Sequence, residues 1–134
     1  MDKSRSDSEF LDQFEDCSLA FEQWTHKAHL RVAFAIVKKY GIENAFRKLS
    51  ECIQKYNAKH AEKIKRGYHV TITRWWTEEI VKRQSCFFSD FEEFALQHPV
   101  LLDFSYIFGD YARDELFCDE ARLSWKSPFN DDKK

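Results

Sequence analysis

The stretch from Thr25 to Gly41 reads THKAHLRVAFAIVKKYG and has the pattern of a helix with one buried face. Thr25 is a favourable N-cap, and Gly41 stands where a left-handed C-terminal cap is expected. Between them, residues that belong on one helical face recur at spacings of three and four. They are His26, His29, Leu30, Ala33, Val37 and Tyr40. The pattern predicts a helix over 25–40 whose two histidines face the interior.

Similar periodicities on both sides of this stretch predict further helices. A helix over 43–60 follows after the short Gly41–Ile42 link, so it should lie antiparallel to the first and form a helical hairpin. A third helix is expected over 68–82, and a fourth, opened by a capping box at Ser89–Glu92, should run to Gln97. Shorter helices are expected over 9–16, 110–117 and 120–125. The predicted fold is an all-α, compact helical bundle of about four main helices plus short C-terminal helices.

Composition supports this fold class and a single domain. The chain has 134 residues, 16% of them aromatic, with only 3 Gly and 2 Pro, which leaves few forced turns for a sandwich or a barrel. A chain of this length can bury a core without a disulfide or a structural metal. We expect one helical domain over 9–126, with disordered polar tails over 1–8 and 127–134.

Charge and cysteine usage exclude several classes of protein. The net charge of −2 is spread over charges of both signs, so nucleic-acid binding is not expected. No apolar run approaches the length of a membrane span, so no membrane partner is expected either. The four cysteines are too far apart for a zinc knuckle or a redox pair, and the start of the chain does not resemble a signal peptide. These features favour a reducing, cytoplasmic location; the oligomeric state is not predicted.

Three histidines are the main candidates for a functional site. His26 and His29 are three residues apart, which puts them about 60° apart on one helix face. His69 stands at the predicted opening of another helix, from which it could supply a third nitrogen. Three protein nitrogens with an open fourth position are typical of a catalytic metal site. The positive end of a helix dipole also opposes protonation and so favours the neutral imidazole that a metal requires.

The alternative is that each histidine is a buried polar residue with its own hydrogen-bond partner, such as a backbone carbonyl, Tyr or Thr. Tyr68 and Thr73 are candidates for contacts to a metal-bound imidazole or to a substrate. Arg113 could hold an anionic substrate, although surface pairing with a neighbouring Asp or Glu is the simpler explanation and the one that the sequence favours. Glu22 and Glu79 could join a metal or act as a base, and the alternative for both is an exposed surface charge.

The chain resembles a family of small, poorly characterised, largely bacterial all-helical proteins. The resemblance rests on the segments Trp24–Leu30, WTHKAHL, and Gly67–Thr73, GYHVTIT. It also takes in the segment 14–19 and, more loosely, the segments 111–116 and 120–122. It implies that His26, His29 and His69 belong to one site, but it implies no particular reaction. Members often carry Glu after the second motif's histidine; here Val70 stands in its place, so a carboxylate is not available there.

Two functions follow as expectations. The first is a mononuclear metal-dependent protein with His26, His29 and His69 as ligands, and with Tyr68, Thr73 and Arg113 nearby. It would activate water or dioxygen on a small-molecule substrate, as a hydrolase, lyase or oxygenase. The divalent ion could be Zn, Fe, Cu or Ni, because imidazole suits all four. The second is a non-catalytic helical module with structural histidines that binds a small aromatic or anionic molecule or a partner protein.

Overall fold

A computed structural model describes residues 6–63, 68–84 and 88–128, and every regular element in these ranges is helical. The α-helices are α1 (Asp7–Glu15), α2 (His26–Tyr40), α3 (Ile42–Lys59), α4 (Val70–Arg83), α5 (Phe91–Gln97), α6 (Arg113–Leu116) and α7 (Asp119–Leu123). Three 3₁₀ segments span Phe21–Gln23, Pro99–Leu102 and Phe104–Gly109. The all-α prediction is confirmed. Across these ranges no helix has both the length and the apolar character needed to cross a membrane.

Helix α2 is the centre of the fold. It packs against α1, α3, α4 and α5. Its six consecutive residues Val32–Val37 are all buried, so the middle of the helix is surrounded by the other elements on every side. The predicted caps are both present: Thr25 Oγ1 accepts a hydrogen bond from the Ala28 amide at 3.2 Å, and Gly41 ends the helix.

Gly41 also makes the predicted hairpin of α2 and α3 possible. Its φ is +91°, a conformation that a residue with a Cβ adopts only with strain. The same residue ends α2 and precedes the first residue of α3. One glycine therefore reverses the chain, and α3 returns along α2 as the sequence predicts.

Helices α2 and α4 run side by side in the same direction. Near their starts, the ring of His26 lies 4.5 Å from the ring of Trp76. Eight residues further along both helices, the Gln84 side chain donates to the Phe34 carbonyl at 3.1 Å. Because Trp76 lies in the middle of α4, the first turn of α4 projects beyond the start of α2. The two histidine motifs therefore begin at different levels of the bundle.

The C-terminal segment is fastened to this first turn of α4. Thr71 Oγ1 donates to the Ser124 carbonyl at 2.9 Å and accepts from the Lys126 amide at 3.0 Å. Arg122 donates to the Tyr68 carbonyl at 3.4 Å. Residues 122–126 thus lie against the opening of the helix that carries the second histidine motif.

Several predicted boundaries are wrong, for local reasons. Helix α1 begins at Asp7, inside the predicted tail, because Ser6 and Glu9 form a capping box with hydrogen bonds of 2.9 and 3.1 Å. The N-cap of α5 is Asp90 rather than Ser89, since Asp90 Oδ1 accepts from the Glu93 amide at 2.9 Å.

Of the predicted tails over 1–8 and 127–134, the parts over 1–5 and 129–134 lie outside the described residues, as do Gly67 and Cys86. Cys17, Cys52 and Cys118 are free thiols. Helix α7 ends at Leu123, before the predicted end at residue 125, and its N-cap residue is Cys118. After α5, the 3₁₀ segments Pro99–Leu102 and Phe104–Gly109 form an apolar connector whose aromatic side chains pack against the bundle.

Candidate functional site

His69 is the N-cap residue of α4, and both of its ring nitrogens have partners. Nδ1 accepts a hydrogen bond from the Ile72 amide at 3.1 Å, and Nε2 lies 2.8 Å from the Leu116 carbonyl oxygen. A carbonyl only accepts, so Nε2 carries the proton and the ring is neutral. Burial lowers the pKa of His69; the Leu116 carbonyl acts in the opposite sense, and the charge of Arg122 adds to the lowering. The ring therefore serves as a hydrogen-bonded cap.

His26, the first residue of α2, is held by a carbonyl from the connector after α5. Its Nε2 donates to the Leu101 oxygen at 2.9 Å, and its ring packs edge to face against Trp76 and Phe104, at 4.5 and 5.5 Å between centroids. Nδ1 has no hydrogen-bond partner within the described ranges. Burial lowers the pKa of His26, partly offset by the Leu101 carbonyl and the charge of Asp103.

His29 lies flat against a tryptophan. Its ring stacks on Trp24 with centroids 3.8 Å apart, and Trp24 in turn stacks on Phe14 at 4.3 Å. Part of the His29 surface remains accessible, yet the ring is deeply surrounded by protein. Burial, with a smaller effect of a charged His26, lowers the pKa of His29 to about 3. With this lowered pKa, His29 is neutral at ordinary pH, and no described residue forms a hydrogen bond with its ring nitrogens.

The three histidines have three separate surroundings. Trp76, the α4 neighbour of His26, is seven residues beyond His69, which corresponds to about 10 Å along the helix axis. Among the residues described here, no three His, Cys, Asp or Glu side chains come together as a group that could hold a metal. His69 in this arrangement does not fit a metal ligand, because coordination would require it to release Ile72 or Leu116. The three-histidine metal site stays a prediction.

A row of phenylalanines connects the surroundings of His26 with those of His69. The row consists of Phe104, Phe108 and Phe117, all half-buried. Phe104 contacts His26 at 5.5 Å, Phe108 lies 5.9 Å from Phe104 and 6.1 Å from Phe117, and Phe117 contacts His69 at 6.5 Å. All four distances lie in the range of favourable aromatic pairs. None of these phenylalanines was predicted from the sequence as a site residue; the spacing of four residues between Phe104 and Phe108 was the available signal.

The indole N–H of Trp76, next to this phenylalanine row, is a hydrogen-bond donor that no described residue accepts from. Its side chain is buried, contacts Phe104 at 6.0 Å and packs against His26, but its Nε1 has no hydrogen-bond partner among the described residues. The neighbouring Trp75 differs, because its Nε1 donates to Asp110 at 3.0 Å. Leaving a buried donor unpaired costs about 1–3 kcal/mol. His60 and Gln84 each also have one such atom, but they lie against Tyr56 and Phe34, away from the row.

Of the other predicted site residues, Tyr68 and Thr73 have structural contacts, and Arg113 contacts the phenylalanine row. The Tyr68 hydroxyl is 2.6 Å from Ser50 Oγ on α3, and burial raises the pKa of Tyr68. Thr73 is buried within α4, and its carbonyl accepts from Thr77 Oγ1 at 2.7 Å. Arg113 is exposed, and its guanidinium carbon lies 4.4 Å from the centre of the Phe108 ring. Arg113 is therefore the one of these three that contacts the phenylalanine row.

The two candidate carboxylates do not join the histidines. Glu22 is exposed and lies 3.8 Å from Lys63, as expected for a surface charge. Glu79 is almost fully buried, contrary to the exposed-charge alternative, and forms ion pairs with Lys82 and Arg83 on its own helix. Arg83 also donates to the Tyr106 hydroxyl at 3.1 Å. Glu79 thus supports the connector after α5 through Arg83.

A cavity of about 550 Å³ lies elsewhere, between α1, α2 and the start of α5. It contains none of the predicted site residues. Its charged side chains hold the helices together: Arg31 pairs with Asp7 at 2.7 Å, Asp7 accepts from the Phe91 amide at 2.7 Å, and Lys38 donates to the Phe88 carbonyl at 2.7 Å. Since these groups are engaged within the fold, the cavity is a weaker candidate than the phenylalanine row.

Comparison with known proteins identifies no relative: no family model, no curated protein and no solved structure matches the chain. The resemblance to a small, largely bacterial helical family therefore remains an expectation based on the two histidine motifs. The candidate site is defined by side-chain geometry, namely the phenylalanine row with His26 and Trp76 at one end and His69 at the other.

Proposed function

We propose that this protein binds a small aromatic molecule that carries a hydrogen-bond acceptor, at the phenylalanine row beside His26 and Trp76. The observation that carries the proposal is the buried Trp76 Nε1, which has no acceptor among the described residues and lies in the same ring cluster as His26 and Phe104. A ligand acceptor would remove the free-energy cost of leaving this donor unpaired.

The neighbouring groups suit such a ligand. Phe104 and Phe108 are half-buried, so each keeps ring surface that a planar molecule can cover. His26 donates through Nε2 to Leu101, which leaves Nδ1 as a possible acceptor toward a ligand. The site thus combines apolar surface with a few polar groups, as small-molecule sites commonly do.

The proposed role of the site is binding rather than acid–base catalysis. Burial lowers the pKa of both His26 and His69, and their Nε2 protons are held by backbone carbonyls. His29, with a pKa of about 3, is a weak base at neutral pH. These properties suit neutral hydrogen-bonding groups better than proton-transfer groups.

The competing proposal is the metal-dependent protein with His26, His29 and His69 as ligands. Within the described ranges, the ring nitrogens of His29 and the Nδ1 of His26 have no hydrogen-bond partner, which is compatible with two metal ligands. The third ligand, His69, would have to break its cap or its bond to Leu116. Elemental analysis of untagged wild-type protein and of His69→Ala separates the two proposals. One equivalent of metal in the wild type, lost in the variant, would establish the metal protein.

Ligand binding is tested with small probes of matched shape. The ring substituents of benzamide and benzoate contain a hydrogen-bond acceptor, and the methyl group of toluene does not. We expect the first two to change tryptophan fluorescence saturably and to raise the melting temperature, because a ligand of the native state stabilises it. Trp76→Phe should weaken benzamide binding, whereas Trp75→Phe, the same change at the preceding residue, should not. Equal binding of toluene and benzamide, or equal effects of the two variants, would contradict the role of Trp76.

A further inference from the structure

Arg113 differs from the other arginines that the structure describes. Arg31, Arg47, Arg74 and Arg83 each have a carboxylate partner, and Arg122 donates to the Tyr68 carbonyl. The side chain of Arg113 forms neither an ion pair nor a hydrogen bond with any described residue. Asp114 and Glu115 follow it directly in the sequence, yet neither pairs with it. The surface pairing that would explain Arg113 most simply is therefore not present among these residues.

The guanidinium of Arg113 is nevertheless placed by a specific contact. It stacks over Phe108, the middle ring of the phenylalanine row, with 4.4 Å between the guanidinium carbon and the ring centre. This cation–π contact holds the guanidinium without using its N–H groups as hydrogen-bond donors, and no described residue accepts from them. A positive charge with unused donors therefore lies at the row where the ligand is proposed to bind.

We infer that the ligand of this site is a small aromatic carboxylate whose charged group is held by Arg113 while its ring lies on the phenylalanine row. This inference rests on the proposed function and adds the charge of the ligand to it. The planar guanidinium presents paired N–H groups that match the two oxygens of a carboxylate, and such bonds are about twice as strong as neutral ones. Arg113 is thus a specificity-determining residue, which selects an anion over a neutral ring of the same shape.

Nearby acidic groups would oppose the binding of an anion. Asp103 lies close enough to His26 to affect its pKa, and Asp110 accepts from Trp75. Together with Asp114 and Glu115, these carboxylates would favour a cationic ligand if Arg113 took no part. The sign of the preferred ligand's charge therefore reports directly on Arg113.

The test compares benzoate, benzamide and benzylamine, which are anionic, neutral and cationic versions of one shape. For the wild type we expect benzoate to bind about tenfold more tightly than benzamide, as one charged hydrogen bond implies. Arg113→Gln should weaken benzoate about tenfold and leave benzamide within about twofold. Arg113→Lys should retain part of the preference, because it keeps the charge but loses the planar fork. Arg47→Gln, which removes an exposed arginine from α3, is the matched control and should change neither affinity.

The outcomes separate this inference from the proposed function. Equal affinity for benzoate and benzamide, tightest binding of benzylamine, or a benzoate preference that survives Arg113→Gln would overturn the inference and leave ring binding established. Binding of none of the three probes would overturn the proposed function itself. Because Arg113 is exposed, the variant should melt at the wild-type temperature, and circular dichroism verifies that it is folded.

Discussion

The imidazole of His69 and the backbone carbonyl of Leu116 are joined by a hydrogen bond of 2.8 Å across 47 residues of chain. The same ring caps α4 by accepting from the Ile72 amide at 3.1 Å. One side chain therefore starts a main helix and fastens the C-terminal segment to it. A residue type that suggested metal ligation from the sequence has a structural role in the fold.

Replacement of His69 should destabilise the protein to a degree that depends on how many of its two hydrogen bonds are lost. Asn keeps an acceptor at the N-cap but does not reach Leu116, whereas Ala loses both contacts. We expect His69→Ala to lower the free energy of unfolding by about 2 kcal/mol and His69→Asn by about half of that. Urea denaturation at pH 7 measures both values. Wild-type stability of His69→Ala would show that these bonds contribute nothing.

The two adjacent tryptophans of α4 should respond differently to the same substitution. Trp75 and Trp76 are 5% and 6% exposed, so the loss of buried area on replacement by Phe is similar. Trp75→Phe also leaves Asp110 without its indole donor, while Trp76→Phe removes a donor that has no acceptor among the described residues. We expect Trp75→Phe to cost about 1 kcal/mol more in unfolding free energy than Trp76→Phe. The reverse order would indicate that the Trp76 indole is satisfied in solution.

Stability should fall on acidification, and His29 should contribute much of the fall. The pKa of His29 is about 3 in the folded protein, below its ordinary value of 6.5. Above pH 6.5, His29 is unprotonated in both the folded and the unfolded protein, so acidity does not yet lower the free energy of unfolding. As the pH falls from 6.5 toward 3, the unfolded chain binds a proton that the native state excludes, so stability is lost at up to about 1.4 kcal/mol per pH unit.

The matched variant is His29→Phe, which keeps a ring against Trp24 but does not titrate. Chemical denaturation at pH 7.5 and pH 5 should show a smaller loss of stability on acidification for this variant than for the wild type. The difference should be about 2 kcal/mol over the interval below pH 6.5. An unchanged pH dependence would show that His29 titrates normally in the folded protein.

The neighbouring glutamates of α4 provide a comparison of buried and exposed charge. The Glu79 side chain is 6% exposed and pairs with Lys82 and Arg83, whereas that of Glu78 is 49% exposed and pairs with Arg74. We expect Glu79→Gln to lower the unfolding free energy by about 2 kcal/mol. Glu78→Gln should cost less than about 0.5 kcal/mol. Equal effects, measured by urea denaturation, would contradict a supporting role for Glu79.

Local sequence patterns were sufficient to predict where the main helices lie. Thr25 and Gly41 mark both ends of α2 because capping and left-handed backbone depend on a few neighbouring residues. The α2–α3 hairpin follows from the short link at Gly41. Errors occurred where two candidate caps adjoin, as at Ser89 and Asp90, since a shift of one residue changes little in the local pattern.

The candidate site was only partly predictable from the sequence. The helical pattern indicated that His26 and His29 face the interior, and both are half-buried, with His26 held by the Leu101 carbonyl and His69 by the Leu116 carbonyl. Their partners, Leu101 and Leu116, lie 75 and 47 residues away, and no local rule links residues so distant in the chain. The row from Phe104 to Phe117 likewise depends on how the C-terminal segment packs against α4.

The most direct measurement of the proposed site is the indole N–H resonance of Trp76 in a ¹H–¹⁵N NMR titration with benzamide. The signal is assigned by its absence from the spectrum of Trp76→Phe, and the Trp75 indole, bound to Asp110, serves as the internal reference. We expect the Trp76 resonance to move downfield saturably as the N–H gains an acceptor, with little change at Trp75. A Trp76 resonance that stays in place while benzamide reaches saturating or solubility-limited concentration would contradict ligand binding at this site.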